Sequence, residues 1–158
     1  MVPFAVAAAF HVLVPDAGER LDWQRIGAQA RTFLQAEISP PAGDPVTEVD
    51  VGPVGGSPTR VSLRTVPLED APEIREQADR GVRAIGGAGF DALVARAKRV
   101  WQVGATVDGD ARAPLVLAAA IASVMLGPIV PPDEVTIFGV RGARVRLEAR
   151  GWPDQSAA

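Results

Sequence analysis

The sequence contains no cysteine, no tyrosine and a single histidine, His11. The lack of cysteine excludes disulfides, thiolate nucleophiles and cysteine-ligated zinc. With one histidine and no tyrosine, the chain has few of the side chains that transfer protons near neutral pH. The common kinds of acid–base and metal-dependent catalysis are therefore poorly supported, and we expect neither a metal nor a cofactor.

Lysine is nearly absent as well, since Lys98 is the only lysine among 16 basic residues. We attribute the excess of arginine, with abundant alanine, valine and glycine, to the coding bias of a GC-rich bacterial genome. The net charge of −3 gives no general attraction for nucleic acid or for an anionic membrane. We therefore expect no nucleic-acid partner and no membrane association.

The stretch Pro114–Pro128 contains no charged residue and one side-chain hydroxyl. Leucine, alanine and methionine favour a helix, Pro114 suits its first turn, and the Gly127-Pro128 pair would end it. Such a helix would be roughly 20 Å long, too short for the ~30 Å hydrocarbon core of a membrane. We predict a buried central helix near 114–127, with a membrane-inserting or partner-inserting helix as the alternative.

The first half of the chain predicts one strand, one helix and two further strands. Residues Phe4–Val14 alternate on two apolar faces, which is typical of a strand buried on both sides. A secretory signal is the alternative, but no basic residue precedes the run, so a cytoplasmic location is the default expectation. An apolar stripe predicts a helix over Leu21–Ile38, and strands follow at Val46–Val51 and Arg60–Leu68.

The region from Ala71 onwards predicts two helices. Helical spacing over Ala71–Ile85 is interrupted by the glycines of Gly86–Gly89, and a second apolar stripe runs over Phe90–Val103, with Trp101 facing inward. The pair should form an αα-hairpin or one sharply bent helix. A phosphate-binding loop at these glycines is disfavoured because no Lys-Ser/Thr pair follows them.

The end of the chain predicts a hairpin of Val135–Phe138 with Arg144–Ala149, followed by a frayed tail from Gly151. Hairpins and helices are mixed along the chain without strict alternation. We predict an α+β fold, with a single mixed or antiparallel sheet and helices packed mainly on one face. Residues 1–150 would form one domain.

Arg141, Arg144, Arg146 and Arg150 are the most suggestive binding residues in the sequence. In a continuous strand, side chains two apart share a face, so the last three arginines would form a basic strip while Val145 faces the core. Such a strip could bind carboxylates or phosphates. The alternative is a solvated strand face that protects the edge of the sheet.

His11 and an acidic cluster are the other candidate sites. His11 lies on an inner face of the first strand and is either a hydrogen-bonded core histidine or a site residue. Glu69, Asp70, Glu73 and Glu76 gather at a predicted helix start, where carboxylates are stabilising without any metal. We interpret the cluster as a solvated helix cap.

These observations favour a non-catalytic cytoplasmic binding protein that acts through protein–protein contact, as a regulatory, inhibitory or immunity-type partner. Its partner would be an acidic protein if the arginine strip is the binding surface, and self-association stays open. The alternative is a small-molecule-binding domain with an apolar pocket between sheet and helices. An enzyme that uses only carboxylates and arginine ranks third.

Overall fold

The computed structural model describes residues 8–40, 46–104 and 108–153. Its six strands are β1 (Phe10–Val14), β2 (Ala36–Ser39), β3 (Glu48–Pro53), β4 (Thr59–Pro67), β5 (Arg99–Gly104) and β6 (Ile129–Val130). They form one sheet in the order β2-β3-β4-β5-β1-β6, and every neighbouring pair is antiparallel. The predicted α+β class with a single sheet is confirmed.

Helices cover both faces of this sheet. They are α1 (Trp23–Leu34), α2 (Pro72–Ala84), α3 (Phe90–Arg96), α4 (Ala113–Met125) and α5 (Val140–Ala149). Successive side chains of a strand point to opposite faces. Accordingly, Val12 and Val14 of β1 pack in a core with α1, α4 and α5, whereas Leu13 packs with α2 and α3. The first of these two cores is the larger.

Helix α4 is the predicted central helix. Every residue from Ala113 to Ala122 is buried, and Pro114 lies in the first turn. The helix contacts β1, β3, β4, β5 and β6 as well as α1 and α5. A helix that is apolar all round is stable only where it is covered on all sides, and the sheet and two helices provide that cover. Within the described ranges, no helix is long and apolar enough to cross a membrane.

The glycine-rich turn after α2 also follows the prediction. Helix α2 buries Ile74, Ala78 and Val82 against the sheet. Gly86, Gly87 and Gly89 have φ angles of 77°, 86° and 86°, in the left-handed region that glycine adopts without strain. The segment is therefore an inter-helix turn.

The predicted helix over Leu21–Ile38 is wrong in its last turn. Helix α1 ends at Leu34, because Gln35 adopts a left-handed conformation with a φ of 49°. Ile38 lies in the edge strand β2, opposite Val51 of β3. Its position fits both a helical stripe and a strand, and the pairing with β3 decides between them.

The predicted helix over Phe90–Val103 is half right. Helix α3 ends at Arg96, Ala97 is extended, and the Lys98 N–H donates to the Val14 carbonyl at 2.8 Å. Residues Arg99–Gly104 form β5, between β4 and β1, so Trp101 is buried on a strand. Valine and tryptophan favour strands, and an inner position in the sheet supplies two pairing partners.

The predicted C-terminal hairpin is wrong. Residues Val140–Ala149 form α5, in which Ala143 and Leu147 are buried one helical turn apart. Val145, predicted to face the core, is 60% exposed. The four-residue spacing of Ala143 and Leu147 fits a helix as well as the alternation of arginine with apolar residues fits a strand. Packing against α4 favours the helix.

The first strand is shorter than predicted in the part of the chain that the structure describes. Strand β1 begins at Phe10, and residues 4–7 of the predicted strand lie outside the described residues. Strand β1 pairs with β5 on one side and β6 on the other, so it is an inner strand, as its two apolar faces indicate.

The predicted fraying of the tail from Gly151 is wrong at Trp152. The Trp152 side chain is 5% exposed, and its Nε1 donates to the Leu34 carbonyl at 2.6 Å. That carbonyl belongs to the last turn of α1, where carbonyl groups have no partner within the helix. The Trp152 N–H supplies a partner from outside the helix. Residues 154–158 lie outside the described residues.

Candidate functional site

The arginines of α5 do not form the predicted one-face strip. Arg144 pairs with Glu148 at 4.0 Å along the helix. Arg146 pairs with Glu134 at 3.5 Å, and its guanidinium carbon lies 4.0 Å from the centroid of the Phe138 ring. On a helix, residues two apart point in different directions. The binding role of Arg141, Arg144, Arg146 and Arg150 therefore stays a prediction, without the shared strand face on which it was based.

His11 is buried on the face of the sheet that carries α2 and α3. It lies between Gln102 of β5 and Val130 of β6 and is 2% exposed. Burial lowers the pKa of His11 to about 4, and this effect is larger than the opposing effect of the Glu73 charge, which raises the pKa. Among the described residues, neither His11 Nδ1 nor Gln102 Oε1 has a hydrogen-bond partner. His11 is thus a neutral core histidine at pH 7.

The folded protein should lose stability as the pH falls from 7 to 5. The pKa of His11 is about 4 in the folded chain and near the usual 6.5 when unfolded, so the unfolded chain takes up the proton first. We expect a loss of about 2 kcal/mol over this range, and a much smaller loss for His11→Gln. Urea unfolding at both pH values would measure it. Equal losses in both proteins would show that His11 titrates normally.

A cleft of about 740 Å³ opens on the other face of the sheet, beside the start of α1. Four chain segments build it: residues 19–23, residues 46–47, the middle of β4 and Trp101 of β5. Its apolar lining consists of two tryptophans and three aliphatic side chains, which are Leu21, Trp23, Val46, Leu63 and Trp101. The volume lies within the range that is usual for sites of small organic ligands.

Polar residues border the same cleft. They are Glu19 and Arg20 before α1, Thr47 before β3, and Arg64 and Thr65 on β4. The described lining contains hydroxyls, guanidinium groups and one carboxylate but no histidine, so it offers hydrogen bonds and charge rather than a base that titrates near neutral pH. Such a lining can orient a ligand that has an apolar body and a polar end.

Arg99 lies directly behind this wall of the cleft. Its Nε donates to the Ala17 carbonyl at 2.8 Å, and its Nη1 donates to Thr65 Oγ1 at 3.2 Å. Its Nη2 faces a carboxylate oxygen of Glu19 at 3.6 Å. Because Thr65 and Glu19 both line the cleft, the buried guanidinium is next to the cleft surface.

Trp101 carries an unusual group in this wall. The side chain is 4% exposed, and its Nε1 has no acceptor among the residues that the structure describes. A buried N–H without a partner is costly, and such groups are rare in native proteins. Trp101 alternates with Gln102 along β5, so this N–H is on the opposite face from the buried His11.

Other candidate sites have structural explanations. Glu76 of the acidic cluster pairs with Arg80 at 3.3 Å along α2, as expected for a solvated helix start. In the described parts of the chain, no group of three or more histidine, aspartate or glutamate residues is placed to hold a metal ion. The cleft is the best candidate site.

The cleft is not evident from the sequence, because the spacing around Trp23 and Trp101 predicts buried helix faces. The available signal was weak. Arg20 and Asp22 alternate with Leu21 and Trp23, which is unusual for a plain turn, and Arg99 directly precedes the apolar pair Val100 and Trp101. Neither pattern indicates that these segments meet.

Fold and cleft together define a single-sheet α+β protein with a ligand-sized cleft between the sheet and a helix. Comparison with models of known families, with curated proteins and with solved structures finds no match.

Proposed function

We propose that this protein binds a small organic molecule in the cleft, without catalysing a reaction on it. The observation that carries the proposal is the lining: two tryptophans, Trp23 and Trp101, converge with aliphatic side chains beneath a polar rim. Aromatic walls of this kind bind flat or apolar ligand bodies, and a few polar groups fix the orientation. The proposal corresponds to the second of the three functions weighed from the sequence.

The side chains of the cleft favour binding over catalysis. His11, the residue best suited to proton transfer near neutral pH, is buried on the opposite face of the sheet. Glu19 is exposed to solvent and faces the Arg99 guanidinium at 3.6 Å. A reaction would therefore need a proton carrier that the described lining does not offer.

The protein–protein function stays a prediction. The large exposed apolar side chains of the described residues belong to separate segments of the chain and are Phe33, Val54, Ile85, Leu126, Val135 and Val145. Single apolar residues on a surface are ordinary, and a broad contiguous patch would be needed to favour a partner. The cleft offers more specific chemistry than these positions.

A screen for ligands tests the proposal in a variant whose tryptophan fluorescence comes only from residues that line the cleft. The chain has three tryptophans, of which Trp23 and Trp101 line the cleft. In a Trp152→Phe background, a ligand should change the tryptophan emission and, at a hundredfold excess over its Kd, stabilise the fold by about 2.7 kcal/mol. Thermal unfolding would measure the second effect.

Two variants of α1 show where the ligand binds. Trp23→Ala removes part of the cleft wall, and we expect affinity to fall by roughly tenfold or more, since each 1.4 kcal/mol of lost contact is a factor of ten. Phe33→Ala is the matched control, because Phe33 is an aromatic residue of the same helix that is 46% exposed and outside the cleft lining. Equal affinities in both variants, or a broad compound library without a single ligand, would contradict the proposal.

A further inference from the structure

The Arg99 guanidinium is buried but incompletely satisfied. Its side chain is 7% exposed, while that of its carboxylate partner Glu19 is 75% exposed. The distance of 3.6 Å between Arg99 Nη2 and the Glu19 oxygen exceeds the 2.7–2.9 Å of a charge-assisted hydrogen bond. The nearest carboxylate therefore lies on the solvent side of Arg99 and is held loosely.

Arg112, the second buried arginine among the described residues, shows the contrast. Arg112 makes a bidentate contact with Asp110, in which Nη2 lies 2.7 Å from one carboxylate oxygen and Nε lies 2.9 Å from the other. Arg112 lowers the pKa of Asp110, as a tight pair should. Asp110 is thus a close and partly buried partner of Arg112, whereas the carboxylate of Glu19 is exposed and lies 3.6 Å from Arg99.

We propose that the ligand of the cleft is an organic carboxylate, and that its carboxylate replaces Glu19 on Arg99. This inference rests on the proposed function, since it names the ligand class for the same cleft. A planar carboxylate matches the fork of a guanidinium, and the pairing is strongest where solvent is largely excluded. In the free protein, the Glu19 carboxylate occupies the position beside Arg99 that the carboxylate of the ligand would take.

The surroundings of Arg99 support this exchange. The contacts of Arg99 with Ala17 and Thr65 hold the guanidinium in place when Glu19 leaves, so the site is pre-organised for a second carboxylate. Trp101, two residues further along the same strand face, belongs to the lining of the same cleft, where it would contact the apolar body of the acid. Only Glu19 is exposed in this pair, and an incoming carboxylate would exchange one anionic partner of the buried Arg99 for another, so the buried charge stays paired.

Glu19 also sets how strongly the acid binds. In the free protein its charge repels an incoming carboxylate and competes for Arg99 Nη2. Removing that charge should therefore tighten the binding of acids and leave neutral analogues unaffected. Glu19→Gln keeps the size of the side chain and changes an exposed position, so the variant should fold normally.

The experiment compares acids with their amides in three proteins. The probes are 3-phenylpropanoate and octanoate, each beside its primary amide, with phenyl phosphate as an anion of different shape. The proteins are the wild type, Glu19→Gln and the matched control Glu37→Gln. Glu37 pairs with Arg31 at 3.4 Å in an exposed ion pair that does not line the cleft. Isothermal titration calorimetry at two salt concentrations would give the affinities.

We expect the acids to bind at least tenfold more tightly than the amides, and Glu19→Gln to bind the acids roughly three- to tenfold more tightly than the wild type. Glu37→Gln should behave as the wild type. If ligands bind the cleft but acids and amides bind alike, or Glu19→Gln leaves the affinity of acids unchanged, the carboxylate inference is wrong while the proposed binding function stands. Tighter binding of phenyl phosphate than of the acids would likewise overturn the carboxylate class. If neither these probes nor the wider library binds, the proposed function fails as well.

Discussion

Replacing Trp152 with alanine should lower the free energy of unfolding by about 3–5 kcal/mol, the usual cost of truncating a buried aromatic residue. The ring is packed in the larger core, and its Nε1 donates to the Leu34 carbonyl at 2.6 Å. The Arg112 guanidinium carbon lies 5.1 Å from the centroid of the ring. Because Trp152 joins the end of α1 to the segment after α5, its loss should affect the whole fold. Chemical denaturation would measure the loss, and Tm should fall by on the order of 10 °C.

Trp152→Phe separates the hydrogen bond from the packing. Phenylalanine keeps most of the buried ring but leaves the Leu34 carbonyl without its donor, so we expect a smaller loss of about 1–3 kcal/mol. A loss below about 1 kcal/mol for Trp152→Ala would contradict the docked position and would restore the frayed tail that sequence analysis predicted.

Gly127→Ala should destabilise the protein by more than about 3 kcal/mol, or prevent folding. Gly127 follows the left-handed residue Leu126, which ends α4, and lies directly against the backbone of β1. A methyl group at this position would collide with the Leu13 carbonyl oxygen and lie 2.9 Å from its carbon. The backbone of an inner strand cannot move aside without breaking its pairing with β5.

Gly27→Ala is the matched control for this prediction. Gly27 lies inside α1, and a methyl group there would meet no atom within 4 Å. Alanine is the better helix former, so we expect a gain of about 0.5–1 kcal/mol. Urea unfolding of both variants would measure the two effects. A Gly127→Ala protein as stable as the wild type would contradict the close approach of α4 and β1.

Prediction from the sequence succeeded in segments where only one type of secondary structure, a helix or a strand, could bury the apolar residues. Pro114–Pro128 has no polar face, which predicts a helix covered on all sides, and α4 is buried from Ala113 to Ala122, whereas Leu126 after it is 71% exposed. Helix α2 has a single apolar stripe and polar residues elsewhere, which fits no strand. In both segments the local pattern and the tertiary environment agree.

Prediction failed where one pattern fits two structures. Ile38 and Val100 continue a helical stripe but also fit a strand, and the sheet supplied the pairing partners that decided between them. The residues from Arg144 to Ala149 alternate as a strand would, yet Ala143 and Leu147 also define a helical face. Local periodicity does not distinguish such cases, because the free-energy difference comes from contacts that are distant in sequence.

The sequence by itself determined the α+β class, the buried central helix and the scarcity of groups suited to proton transfer, because these follow from composition and from unambiguous patterns. The tertiary structure alone decided the cleft. Its walls come from residues 19–23, 46–47, 63–65 and Trp101, which are separated by long stretches of chain and are brought together by the pairing of β4 with β5 and the packing of α1. The same packing buries Arg99 beside an exposed Glu19. Proximity of this kind is a property of the folded chain, and no local pattern encodes it.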